Sequence, residues 1–175
     1  MSSAQQTMPL GVVLERRPID HPWADWGWRA VAVIPGAQPI DAPRELVRDD
    51  SHTRFHVATL ELGLHRKETE GYRVNLSQAN PTVYVGLRPG ADDTEVPFPF
   101  VVTVCPYEAE DYEIGGDERV EAVPMPTEVA ALVGHFIDRH HVEEPFVKRK
   151  RIPHKARRNG LDAELRGSAK GPRYG

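Results

Sequence analysis

The clearest pattern along the chain is the alternation from Thr82 to Arg88. Val83, Val85 and Leu87 fall on one side; Thr82, Tyr84, Gly86 and Arg88 fall on the other. A period of two is that of a strand with one buried and one wet face, as in an antiparallel sheet. The same reading predicts strands over residues 10–15, 28–34, 55–65 and 98–105, and further extended chain over 72–76. Within 55–65, simple alternation places His56, Ala58, Leu60, Leu62 and Leu64 on one face. Residues 37–50 and 66–71 read as a loop and a charged turn, and nothing before Leu10 reads as structured. After Pro124 and Pro126 the period lengthens. Val129, Leu132, Val133, Phe136 and Ile137 form one apolar stripe of a helix, with Thr127 as its N-cap and an end near His141.

Sixteen prolines and fourteen glycines cut the 175-residue chain into short pieces, which favours strands over long helices. The expected fold is α+β: a mainly antiparallel sheet, meander or small barrel, closed by one C-terminal helix and followed by a basic tail. The expected organisation is a disordered N-terminus over 1–9, a single domain over 10–144 and a tail over 145–175. Hydrophobic residues make up 39% and charged residues 27% of the chain, the balance of an ordinary folded protein. No apolar run approaches the ~20 residues of a membrane helix. The polar start from Met1 to Met8 lacks the basic and apolar segments of a secretory signal, so the expected location is the cytoplasm.

Charge changes the picture. Residues 145–175 carry ten Lys or Arg and two acids, a net +8, which leaves −12 on the rest of a chain whose total is −4. The basic residues cluster as Lys148, Arg149, Lys150, Arg151, Lys155, Arg157 and Arg158, dense enough to engage an acidic protein surface or phosphates. Docking on protein is favoured over nucleic acid, because the arm has almost no aromatic residues for base stacking and the body is acidic. Residues 107–121 hold seven acids and one base, read as a solvated loop that could also pair with the arm. Trp23, Trp26 and Trp28 lie within six residues. Trp26 and Trp28 would share a strand face, and tryptophan is the leading hot-spot residue of interfaces.

Catalytic signatures are sparse. Cys105 ends an apolar strand before Pro106, the setting of an inert buried thiol rather than a nucleophile. The Gly-x-Ser-x-Gly elbow, the phosphate-binding Gly-x-x-x-x-Gly-Lys-Ser/Thr loop and Gly-x-Gly-x-x-Gly are all missing from the sequence. His52 and His56, four apart on extended chain, would lie about 13 Å apart, too far for one metal. His140 and His141 read as exposed cations at a helix C-terminus. The expectation is a binding protein with no catalytic residue, no metal and no cofactor.

Four segments occur in a familiar order: Val12-Val13-Leu14-Glu15-Arg16-Arg17-Pro18; Trp23-Ala24-Asp25-Trp26-Gly27-Trp28; residues 102–109 around Val104-Cys105-Pro106-Tyr107; and residues 140–151, His-His-Val-Glu-Glu-Pro-Phe-Val-Lys-Arg-Lys-Arg. Over roughly residues 10–155 the chain resembles a bacterial family catalogued as domain of unknown function 3305. Members of that family are typically encoded beside molybdenum-dependent formate dehydrogenase and its maturation factors. The resemblance implies a cytoplasmic accessory, assembly or small-subunit role around that enzyme. It supplies no catalytic residues. The partner it implies is formate dehydrogenase or a maturation factor, met through Trp23, Trp26, Trp28 and the basic arm. The alternatives are a nucleic-acid-binding regulator using the arm and a molybdopterin cofactor-handling protein.

Overall fold

Val83, Val85 and Leu87 are fully buried, as their alternation requires, and around them the chain builds two sheets. The computed structural model describes residues 4–91 and 95–142. Residues 143–175, which carry the basic arm, lie outside the described residues. The described elements are β1 (Gln6–His21), β2 (Ala24–Pro35), β3 (Arg44–Arg48), β4 (Thr53–Leu64), α1 (Thr69–Leu76), β5 (Thr82–Arg88), β6 (Phe98–Thr103), α2 (Pro106–Glu113), β7 (Arg119–Pro124) and α3 (Thr127–His140). A 3₁₀ turn over Arg66–Glu68 leads into α1.

The fold is α+β with antiparallel pairing throughout, in the order β2-β1-β4-β3 in one sheet and β6-β5-β7 in the other. The two sheets share one core. Leu10, Val12 and Leu14 of β1 meet the valines of β5 and β6, and Val129, Val133 and Phe136 of α3 join them. Tyr72 of α1 meets Phe136 edge-on, with ring centroids 6.1 Å apart. The meander or small barrel does not form. β6 runs near β4 and β7 near β2, but neither pair makes a ladder, so the strands remain two sheets.

Several expectations are corrected. The first strand starts at Gln6, because residues 6–9 pair with 61–64 of β4 and so find backbone partners. Residues 72–76 belong to α1 and are not extended. Thr69, Tyr72 and Asn75 are its buried face, three apart, and the fully buried Asn75 hides the helical stripe from a purely apolar reading. The loop over 37–50 contains β3, an edge strand exposed along its whole length, which leaves no alternation to detect. The acidic stretch forms α2 and β7, with Ala109 the one buried residue of α2. Instead of closing with one helix, the described chain has three. Pro126, not Thr127, caps α3; Thr127 is its first helical residue.

The face assignment in β4 also changes. A bulge at Val57 sets Ala58 opposite Val12 but His56 opposite Val13. Val57 turns to the core, while His56 passes to the outer face of the sheet. One extra residue reverses every side chain beyond it.

Candidate functional site

β1 and β2 continue past the core as a two-stranded hairpin, which carries the three tryptophans. Trp23 sits in the turn and is 83% exposed; Trp26 is 41% exposed. Trp28 packs against the core and meets Phe55 with ring centroids 5.6 Å apart. Trp26 and Trp28 do share a face, and the Arg16 guanidinium lies 4.9 Å from the Trp26 ring and 5.8 Å from the Trp28 ring. Phe55 is a third ring, at 5.6 Å. Such cation–π contacts hold a charge in an aromatic setting that a neutral side chain would fill less well. Of the expected trio, Trp28 is therefore structural, and Trp23 and Trp26 present surface.

Below the hairpin lies a cleft of about 230 Å³, lined by Ile19, Trp26, Trp28, Pro89, Pro97 and Arg119 among others. Ile19, Trp23, Trp26, Val96 and Phe98 are exposed apolar side chains on or next to its walls. Arg119 lines one side of the cleft; it donates to the Trp28 carbonyl at 2.8 Å and pairs with Glu121 at 3.3 Å.

On the opposite face of β1 is a cluster that no sequence pattern announced. Glu15 is 0% exposed. Register places Arg29 of β2 and Arg54 of β4 directly beside it, and Arg17 two residues along the same face. Arg17 binds Glu15 Oε1 through Nε at 2.9 Å and again through Nη2. Arg29 Nη2 lies 3.2 Å from the same oxygen. Arg54 Nε donates to Oε2 at 2.9 Å, and His52 Nε2 stands 3.9 Å from it. Burial pushes the Glu15 carboxyl up, but hydrogen bonds from Arg54 and Arg17, with the fields of Arg17 and Arg29, outweigh it and hold the group below the usual carboxylate range. The partners are 14 and 39 residues from Glu15, so only strand pairing brings them together; Arg17 alone was legible as a neighbour.

The remaining candidates are structural. Cys105 is buried at the start of α2, and burial pushes its thiol up, away from the reactive thiolate. His140 packs against Phe136 with ring centroids 4.6 Å apart and the rings tilted by 56°. His141, expected to be exposed, is only 12% so: it bonds Thr69 Oγ1 at 3.0 Å, fastening the end of α3 to α1. His52 is held by Asp49 at 3.1 Å and His56 by Thr59 at 2.9 Å, on different partners. Among the described residues no three of His, Cys, Asp and Glu converge as a metal site, and no helix is long and apolar enough to cross a membrane. Of the acidic stretch, Glu108 accepts from Thr103, Glu118 pairs with Arg88 and Glu121 binds the Ala30 amide. The expected arm contacts, Lys148 to Arg158, lie outside the described residues.

Comparison with the curated proteins and with the solved structures gives no match. A family model, described as protein of unknown function (DUF3305), matches residues 9–150. That span takes in both sheets from Pro9 onward, the three helices of the described residues, the tryptophan hairpin and the start of the basic arm, and the chain belongs to the DUF3305 family.

Proposed function

We propose that the protein is a non-catalytic, cytoplasmic accessory or assembly factor for a molybdenum-dependent formate dehydrogenase, acting by protein–protein binding. The observation that carries the binding role is the projecting hairpin, with Trp23 at 83% and Trp26 at 41% exposure beside exposed Phe98. Large aromatic side chains bury much surface on contact at little entropic cost, which is why they dominate interface energetics. The choice of partner rests on the gene neighbourhood that the family resemblance implies. The basic arm supplies a second, charge-steered contact with an acidic surface of that partner.

The test is direct titration of the full chain with purified formate dehydrogenase subunits and maturation factors. Binding to one of them, weakened at least about tenfold by Trp23→Ala with Trp26→Ala, supports the reading. Binding to none of them overturns the partner, and undiminished binding by the double variant overturns the hairpin. The +8 charge of residues 145–175 favours a second reading, a nucleic-acid-binding regulator. A steep salt-dependent mobility shift, lost on removal of 148–175, would decide for it.

A further inference from the structure

We propose that Arg17, Arg29 and Arg54, gathered on the Glu15 carboxylate, form an anion subsite for a phosphate group on the outer face of the four-stranded sheet. Three guanidiniums within reach of one carboxylate are not needed to neutralise it. One would do, and the set keeps a net charge of +2 after Glu15 is counted. The excess is held in place by geometry. Arg29 and Arg54 flank Glu15 across two ladders, and Arg17 follows on the same face.

Each guanidinium carries five donors. Arg54 commits its Nε to Glu15, Arg29 its Nε and Nη2, and Arg17 its Nε and Nη2. Among the described residues these three have no other hydrogen-bond acceptor than Glu15, so donors remain on every one. The side chains are 44%, 52% and 43% exposed for Arg17, Arg29 and Arg54, while Glu15 beneath them is 1% exposed. The carboxylate is thus a buried pin, and the spare donors face solvent. Mutual repulsion of the three cations has already been overcome by the fold, so a ligand does not have to gather them. Fork-shaped donors in a fixed array match the oxygens of phosphate.

The surrounding charges set where the ligand sits. Asp50 lines a shallow depression with Arg17, Pro18 and Ser51 and would repel an anion there. Asp49 is occupied by the Ser51 and His52 amides and the His52 ring. The phosphate therefore seats towards Arg29 and Arg54. The site stands independently of the proposed partner: Glu15 and its arginines lie on one face of β1, and Arg16 with Trp26 and Trp28 on the other.

The experiment is calorimetric titration of the full chain with inorganic phosphate and, separately, with glycerol phosphate, at low ionic strength balanced with chloride. Saturable binding is expected, weakened about tenfold or more by Arg29→Gln and by Arg54→Gln and unchanged by Arg88→Gln, whose partner Glu118 is elsewhere. Thermal melts check that each variant is folded, and Arg29→Lys, which keeps the charge but loses the fork, is expected to fall between. Tighter binding of glycerol phosphate assigns an organic phosphomonoester; equal binding assigns the free anion. Absence of saturable binding of both probes at millimolar concentration overturns the site. So does binding that survives both glutamine substitutions.

Discussion

Glu121 Oε2 accepts the backbone N–H of Ala30 at 2.9 Å and thereby links the two sheets where no ladder does. Ala30 sits on the outer edge of β2, and Glu121 belongs to β7 of the other sheet. An open edge amide is a template for pairing with another chain. Here a side chain fills that place, and Arg119 does the same for the Trp28 carbonyl. Glu121→Ala leaves the half-buried amide without its partner. The expected outcome is a loss of about 1–3 kcal/mol in urea unfolding, with increased self-association on light scattering. Unchanged stability would show that water replaces the carboxylate at no cost.

Asn75 plays a comparable part on the helical side. Its amide donates to the Thr82 carbonyl at 2.7 Å and to the Val104 carbonyl at 2.8 Å, and its oxygen accepts the Thr82 amide at 2.9 Å. One fully buried side chain therefore ties α1 to the start of β5 and the end of β6. Asn75→Leu keeps the branched shape, adds some bulk and orphans three backbone groups at once. We expect a loss of about 3 kcal/mol or more, at the high end for single substitutions, read from the denaturant midpoint.

Gly11 lies opposite Thr59 on the outer face of β1, where the bulge in β4 brings His56 across it. A Cβ at Gly11 would stand 2.7 Å from His56 Nε2 and 2.9 Å from the Ala37 methyl. Thr59 gives its hydroxyl proton to the Gln38 carbonyl, so His56 Nε2 must donate to Thr59. The ring therefore cannot swing away without losing its bond to Thr59. Gly11→Ala is expected to cost about 1–3 kcal/mol, with the loss reduced when His56 is also made alanine; a double-mutant cycle measures this.

The Glu15 carboxyl provides a pH test. Its folded pKa lies below the ordinary value because of Arg54, Arg17 and Arg29 acting against burial. The unfolded chain therefore takes up this proton first as pH falls. The stability it contributes is complete above the unfolded carboxylate pKa, near 4.3, and is lost as pH drops through the lower folded value. Stability curves of wild type and Glu15→Gln should run at a constant offset above about pH 5 and converge from there down through the lower folded value. Parallel curves across that lower range as well would mean that the arginines are not what holds the carboxylate charged.

Periodic apolar residues sufficed to place β5, the core half of β1 and β4, and the helix of Val129, Val133 and Phe136. Each buries its own stripe, and a stripe can be read from the chain locally. The tryptophan cluster was legible as a group, but which of its rings face solvent was decided by the strand pairing. Tertiary structure alone decided the rest. A polar buried face made α1 look extended, and an exposed edge left β3 without any pattern. The bulge at Val57 moved His56 to the opposite face, since register is a property of two strands and not of one. The gathering of Arg17, Arg29 and Arg54 on Glu15 was decided the same way: strand pairing brings together charges up to 39 residues apart, and no spacing along the chain encodes that meeting.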